Sequence, residues 1–122
     1  MKFNLNQQDL QKSLNYCQGV IEKRSTLPIL SNVLLDASDS KLTITATDLD
    51  LIFINKISNV EVLEEGKTTT SSSIMYDIVR KFSSGKKINF SSIGENKIHL
   101  ESEKSDFNLN CISASEFPLT DE

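Results

Sequence analysis

The sequence predicts an α+β domain built from two strand–helix–three-strand units, and three observations carry that expectation. The chain has 122 residues, enough for one domain with its own core. Two segments space their apolar residues at helical intervals, while the segments around them alternate, so helix and strand signals follow one another in a fixed order. Polar clusters of Ser, Asp, Glu, Asn and Gly separate the alternating segments at hairpin spacing. The order strand, helix, three strands occurs twice, yet the halves share negligible sequence identity, so the repeat is one of pattern only.

In the first half, Lys2 to Asn6 alternates enough for a short strand. Asn6 offers a helix N-cap, and Asp9 places a negative charge in the first turn, where the helix dipole favours it. Leu10, Leu14, Cys17 and Ile21 follow at helical spacing and form one apolar stripe, with Gly19 as a weak point before Pro28. Three strand patterns come next, at about Leu30–Ala37, Lys41–Thr47 and Leu51–Ile57. Ser38-Asp39-Ser40 joins the first two as a hairpin turn. Thr43, Thr45 and Thr47 alternate with Leu42, Ile44 and Ala46, the signature of a half-buried strand.

The second half opens on Glu64-Glu65-Gly66, read as a turn, and on a threonine-rich strand over Lys67–Ser71. Ser71 or Ser72 can cap a helix carrying Ile74, Ile78 and Phe82, flanked by Met75 and Val79, and Ser83-Ser84-Gly85 stops it. Ile88–Ser92, Lys97–Glu101 and Phe107–Ile112 are three further strands. Gly94-Glu95-Asn96 and Lys104-Ser105-Asp106 are the expected turns between them.

Composition narrows the class. Hydrophobic residues make up 38% and charged residues 25%, ordinary for a folded soluble domain. No apolar run reaches the length of a membrane span, and Met1 leads straight into a polar strand rather than a secretory signal, so a cytoplasmic protein is expected. Cys17 and Cys111 are the only cysteines and are expected to be free, buried thiols. The net charge of -4 argues against nucleic acid until its distribution is considered. Residues 7–24 hold three basic and two acidic side chains, and residues 71–87 hold four basic and one acidic. The two predicted helical segments thus carry +4 together and the remainder carries -8.

The run Lys23-Arg24-Ser25-Thr26-Leu27-Pro28-Ile29-Leu30-Ser31-Asn32-Val33, followed by Thr47-Asp48-Leu49, resembles the first domain of the bacterial DNA polymerase III beta subunit, the sliding clamp. The opening Met1-Lys2-Phe3 and the closing Glu116-Phe117-Pro118 extend the resemblance over the whole chain. It implies a DNA-clamp domain, with two helices side by side on antiparallel sheets. Residues 1–122 are then the first of three clamp domains, the later two lying outside this chain. The resemblance further implies a replication processivity factor without bond chemistry or cofactor. Two three-domain chains close head to tail around duplex DNA. The replicative polymerase and the clamp loader bind mainly through the later domains.

Candidate DNA-contacting residues follow from helical geometry and from the resemblance together. At 100° per residue, Gln8, Lys12, Asn15, Gly19 and Lys23 lie opposite the first apolar stripe, and none is acidic. Ser73, Tyr76 and Arg80 lie roughly opposite Ile78 on the second helix, with Asp77 at the edge. Such side chains contact phosphate oxygens without reading bases. By themselves they describe a solvated helix face. The resemblance places basic residues at Lys12, Arg24 and Arg80 on helices that line the hole of the ring. Lys12, Lys23, Arg24, Ser73 and Arg80 are therefore the expected DNA-binding set, with Arg24 foremost. Many relatives are basic at the start of the second helix, where this chain has Ser73 and Ile74. The turn from Glu103 to Ser105, basic in some relatives, keeps only Lys104. In the family that region abuts the third domain of the neighbouring subunit.

Two readings compete. Asp48 and Asp50, two apart on a strand, could begin a magnesium site for a small nuclease, but no third ligand or acid–base partner accompanies them. His99 sits mid-strand as a structural histidine, and Ser71-Ser72-Ser73 has the setting of a helix cap. No glycine-rich phosphate loop, Cys/His metal spacing or aromatic stacking platform occurs, so neither catalytic residues nor a metal are expected. A stand-alone interaction module working through a sheet edge is the other alternative.

Overall fold

The computed structural model describes residues 1–18, 28–47, 51–94 and 96–118. Its elements are β1 (Lys2–Asn6), α1 (Gln7–Gln18), β2 (Asn32–Ser38), β3 (Lys41–Thr47), β4 (Ile52–Ile57), β5 (Glu61–Glu64), β6 (Gly66–Ser71), α2 (Ser72–Val79), β7 (Lys87–Ile93), β8 (Lys97–Ser102) and β9 (Ser105–Ile112). A short 3-10 turn, Pro28–Ser31, leads into β2. The strands pair antiparallel in the order β4-β3-β2-β6-β9-β8-β7-β1-β5. The doubled strand–helix–three-strand pattern is present, with β5 added between the halves.

Local chemistry fixes both helix starts. Asn6 Oδ1 accepts from the Gln8 N–H at 2.8 Å, and Ser71 Oγ accepts from the Ile74 N–H at 3.2 Å. Ser71 is therefore the cap of α2, while Ser72 is buried and donates to Gln18 Oε1 at 3.0 Å. The hairpin between β2 and β3 turns through Asp39 and Ser40, both at positive φ (52° and 60°), the backbone that a two-residue hairpin turn needs.

Two halves share one core. Phe3 and Leu5 of β1, Leu10, Leu14 and Cys17 of α1 and Val33 and Leu35 of β2 belong to the same buried cluster as Met75 and Val79 of α2, Phe90 of β7 and Leu100 of β8. Phe3 faces Phe90 across the β1–β7 pair, and the rings stack with centroids 4.6 Å apart. The seam between the two parts of the sheet, β4-β3-β2-β6 and β9-β8-β7-β1-β5, is short, with ladder pairs at Thr69–Ile112 and Thr70–Cys111. Threonine hydroxyls reinforce it: Thr69 Oγ1 donates to the Ile112 carbonyl at 2.7 Å, and Thr70 Oγ1 to the Asn110 carbonyl at 2.9 Å.

Three expectations need correction. Glu64 does not sit in a turn: Glu61–Glu64 forms β5, which pairs with β1, and the chain crosses to β6 through Glu65 alone. Gly66 suits that crossing, because a Cβ there would come within 2.9 Å of Met1 Cβ. The β8–β9 turn is Glu103-Lys104, since Ser105 already pairs with Ser102, and Glu103 takes the positive φ of 55°. Ile74 is not a core residue; it is 52% exposed, and Met75, Ile78 and Val79 carry the buried stripe of α2, which ends at Val79, so that buried Phe82 lies beyond the helix expected to carry it. Residues three and four along from Met75 share its face of the helix, and that face packs inward.

Candidate nucleic-acid interface

The two helices run side by side in opposite directions, and side-chain bonds at both ends record it. Gln7, at the start of α1, donates from Nε2 to the Val79 carbonyl at the end of α2, 2.8 Å away. Gln18, at the end of α1, accepts from Ser72 at the start of α2. Midway, Tyr76 Oη donates to Asn15 Oδ1 at 3.3 Å. The apolar stripes point into the core, so the opposite faces form one continuous polar surface across both helices.

That surface carries most of the expected set. Lys12 is exposed on α1, flanked by exposed Gln8 and Asn15. With Gln11 and Tyr76 these residues line a shallow groove of about 360 Å³ between the helices. Ser73 is exposed in the first turn of α2, and Arg80 is exposed just past its end. Lys23 and Arg24 lie outside the described residues, so the structure places Lys12, Ser73 and Arg80 on one side of the domain and leaves the other two to the sequence. Asp9 is exposed on the flank of α1.

Arg80 is engaged rather than free. Its Nη2 donates to Asp77 Oδ1 at 2.9 Å, and its guanidinium carbon lies 5.1 Å from the centre of the Tyr76 ring. A cation over an aromatic face is attracted by the ring quadrupole, so Tyr76 and Asp77 hold the guanidinium between them. Helical spacing of three and four is the signal that could have found this trio, because residues so spaced are neighbours on a helix surface. Tyr16 went unnoticed in the sequence. It is 50% exposed on α1, and its ring stands edge-on to Phe53 of β4 at 6.2 Å.

The remaining candidates have structural surroundings where they are described. His99 Nδ1 is 2.7 Å from Asn108 Oδ1 on the neighbouring strand. Asp48 and Asp50 lie outside the described residues. Among the described residues no group of three or more His, Cys, Asp or Glu side chains is arranged to hold a metal ion. Both thiols are free: Cys17 is fully buried, and that burial pushes its pKa up to about 12, whereas Cys111 is only partly buried, with its pKa raised by the same cause. The expectation of two buried thiols thus holds fully for Cys17 and partly for Cys111. Among the described residues no helix is long and apolar enough to cross a membrane.

Residues 1–121 match the family described as "DNA polymerase III beta subunit, N-terminal domain". The beta sliding clamp of Caulobacter vibrioides (strain NA1000 / CB15N) is 36% identical over 121 residues, which is 98% of this chain and 32% of that protein. The beta sliding clamp of Escherichia coli (strain K12) is 34% identical over 122 residues, covering 100% of this chain and 33% of that protein. A crystal structure of the DNA polymerase sliding clamp from Caulobacter crescentus superposes with a TM-score of 0.93 at 34% identity, covering 100% of this chain and 33% of that one. The chain spans about a third of the length of the relatives it matches.

Proposed function

The chain belongs to the family of the DNA polymerase III beta subunit N-terminal domain, and from that premise we propose that it serves as the first domain of a sliding clamp, a replication processivity factor that encircles duplex DNA and tethers the replicative polymerase. The observation that carries this reading is the family match over residues 1–121. The paired helices support it physically. They offer Lys12, Ser73 and Arg80, with amides between them; Lys23 and Arg24 complete the proposed set of phosphate contacts. These groups grip phosphates without reading bases, which lets a ring slide.

The same reading assigns the surroundings. The domain does no bond chemistry and takes no cofactor or metal. Its partners are duplex DNA, a second subunit joined head to tail, and the polymerase catalytic subunit and clamp loader, which engage mainly the two further domains. The working place is the cytoplasm. Open strand edges fit a ring in which neighbouring domains cover them: β4 ends the described sheet and carries exposed Ile52 and Ile54, with exposed Leu51 beside it.

The test is a chimera in which this chain replaces the matching first domain of the Caulobacter sliding clamp. The expected result is a dimeric ring, seen by gel filtration, that raises polymerase processivity on primed circular DNA. A dimeric chimera that leaves processivity at the level without clamp would defeat the reading.

A further inference from the structure

In the structure Arg80 is already engaged by two neighbours from α2. Its guanidinium gives a hydrogen bond to Asp77 Oδ1 at 2.9 Å and lies over the Tyr76 ring at 5.1 Å. Tyr76 is fixed in turn from the other helix, by its hydroxyl on Asn15 at 3.3 Å. Asp77 and Arg80 are both largely open to water, with side chains 60% and 50% exposed. An exposed ion pair three residues apart on a helix is weak, so it can be exchanged. A carboxylate and a phosphate offer a guanidinium the same thing, oxygen acceptors for its N–H groups.

We infer that Asp77 is a built-in competitor for Arg80, a tethered anion that a DNA phosphate must displace before Arg80 can bind it. The inference rests on the sliding-clamp reading and deepens it by assigning a residue that sets the strength of one contact. Each phosphate that passes meets an arginine already partly engaged. The net gain of the contact is the difference between two similar interactions, so the grip stays shallow. Tyr76, anchored by Asn15, keeps the guanidinium at the rim of the helix pair in both states.

The test is a double-mutant cycle on the 122-residue chain, with binding of a short mixed-sequence DNA duplex followed by nuclear magnetic resonance titration at low salt. Asp77→Asn in the native background should tighten binding about twofold, the worth of an exposed helical ion pair. Asp77→Ala should do the same, with circular dichroism confirming that the helix persists. Arg80→Ala alone should weaken binding. In the Arg80→Ala background, Asp77→Asn should then change almost nothing, because the competition has no subject.

Equal tightening in both backgrounds would mean that Asp77 merely repels DNA at a distance, and would overturn the inference. So would unchanged affinity in Asp77→Asn. If the chain and all variants bind no duplex, the inference fails, while the sliding-clamp reading stands or falls on the chimera. If duplex binding and the Arg80→Ala loss are both seen without coupling, only the inference fails.

Discussion

Gln7, the first residue of α1, donates from Nε2 to the carbonyl oxygen of Val79, the last residue of α2, at 2.8 Å. Gln7 is 1% exposed, so the bond is dry. The last carbonyls of a helix have no partner within it, and here one accepts from the neighbouring helix as well as from the Phe82 N–H at 3.2 Å. The start of α1 and the end of α2 are thereby pinned together, which keeps their polar faces in one surface.

Gln7→Ala should therefore cost about 1 kcal/mol, because the Val79 carbonyl loses its bond from Gln7 but keeps the one from the Phe82 N–H. Urea unfolding should show a lower midpoint at unchanged slope. A midpoint equal to that of the native chain would mean that the Gln7 bond adds nothing to the pairing of the helices.

The three consecutive serines should separate cleanly. Ser71 caps α2 by accepting from the Ile74 N–H, so Ser71→Ala should cost about 1 kcal/mol. Ser73 is exposed, and Ser73→Ala should stay within about 0.5 kcal/mol. Thermal melts of the two variants check this, and equal shifts would show that the cap bond does not form in solution.

Burial of Cys17 predicts a pH effect on stability. Its folded pKa is pushed up to about 12 from an ordinary 9.0 by desolvation. Below pH 9 both states keep the proton, and the contribution is fully present. Between those values the unfolded chain loses the proton and the folded one keeps it, so stability falls as pH rises, by up to about 1.4 kcal/mol per pH unit. Cys17→Ala should lower stability at pH 7 by removing a core side chain, and should flatten the decline above pH 9. Parallel declines in the two proteins would assign the alkaline loss to other groups. In the native state a thiol reagent should modify Cys111, which is only partly buried, well before Cys17.

Much of this architecture was legible because the relevant residues answer to local rules. Asn6 and the stripe of Leu10, Leu14 and Cys17 define α1, and the Thr43–Thr47 alternation defines β3. What was not legible depends on partners distant in sequence. Glu61–Glu64 has too few apolar residues to signal a strand, and it exists because β1 offers an edge. Ile74, Ile78 and Phe82 form one permissible helical stripe and Met75, Ile78 and Val79 another. The sequence cannot choose between stripes that share Ile78; packing against α1 chooses the second. The polar helix face was legible residue by residue, but the engagement of Arg80 by Asp77 and Tyr76 was not, since spacing permits that contact without requiring it.

Binding of this chain to duplex DNA should be weak and indifferent to sequence. A few phosphate contacts give a log–log salt slope of roughly -2 to -3. Titrations of unrelated duplexes at several salt concentrations check this. Micromolar or tighter binding to one defined sequence at physiological salt would contradict it.

Lys12 and Arg24 give the sharpest test of which face meets DNA. Lys12 is exposed on α1 and stands off the buried stripe of Leu10, Leu14 and Cys17. Lys12→Ala should therefore leave stability within about 0.5 kcal/mol of the native chain. It should weaken duplex binding equally for all sequences and reduce the salt slope by about one unit, as the loss of one phosphate contact requires. Arg24→Ala should behave likewise, and Arg24→Glu should do worse by adding repulsion. The competing account makes Arg24 a cap for the end of the first helix, bonding its last carbonyls. Under that account Arg24→Ala lowers the melting temperature and leaves DNA affinity alone. Measuring both quantities on one variant decides between them, and Lys12→Ala, which has no capping role, calibrates how much affinity a single lost contact removes.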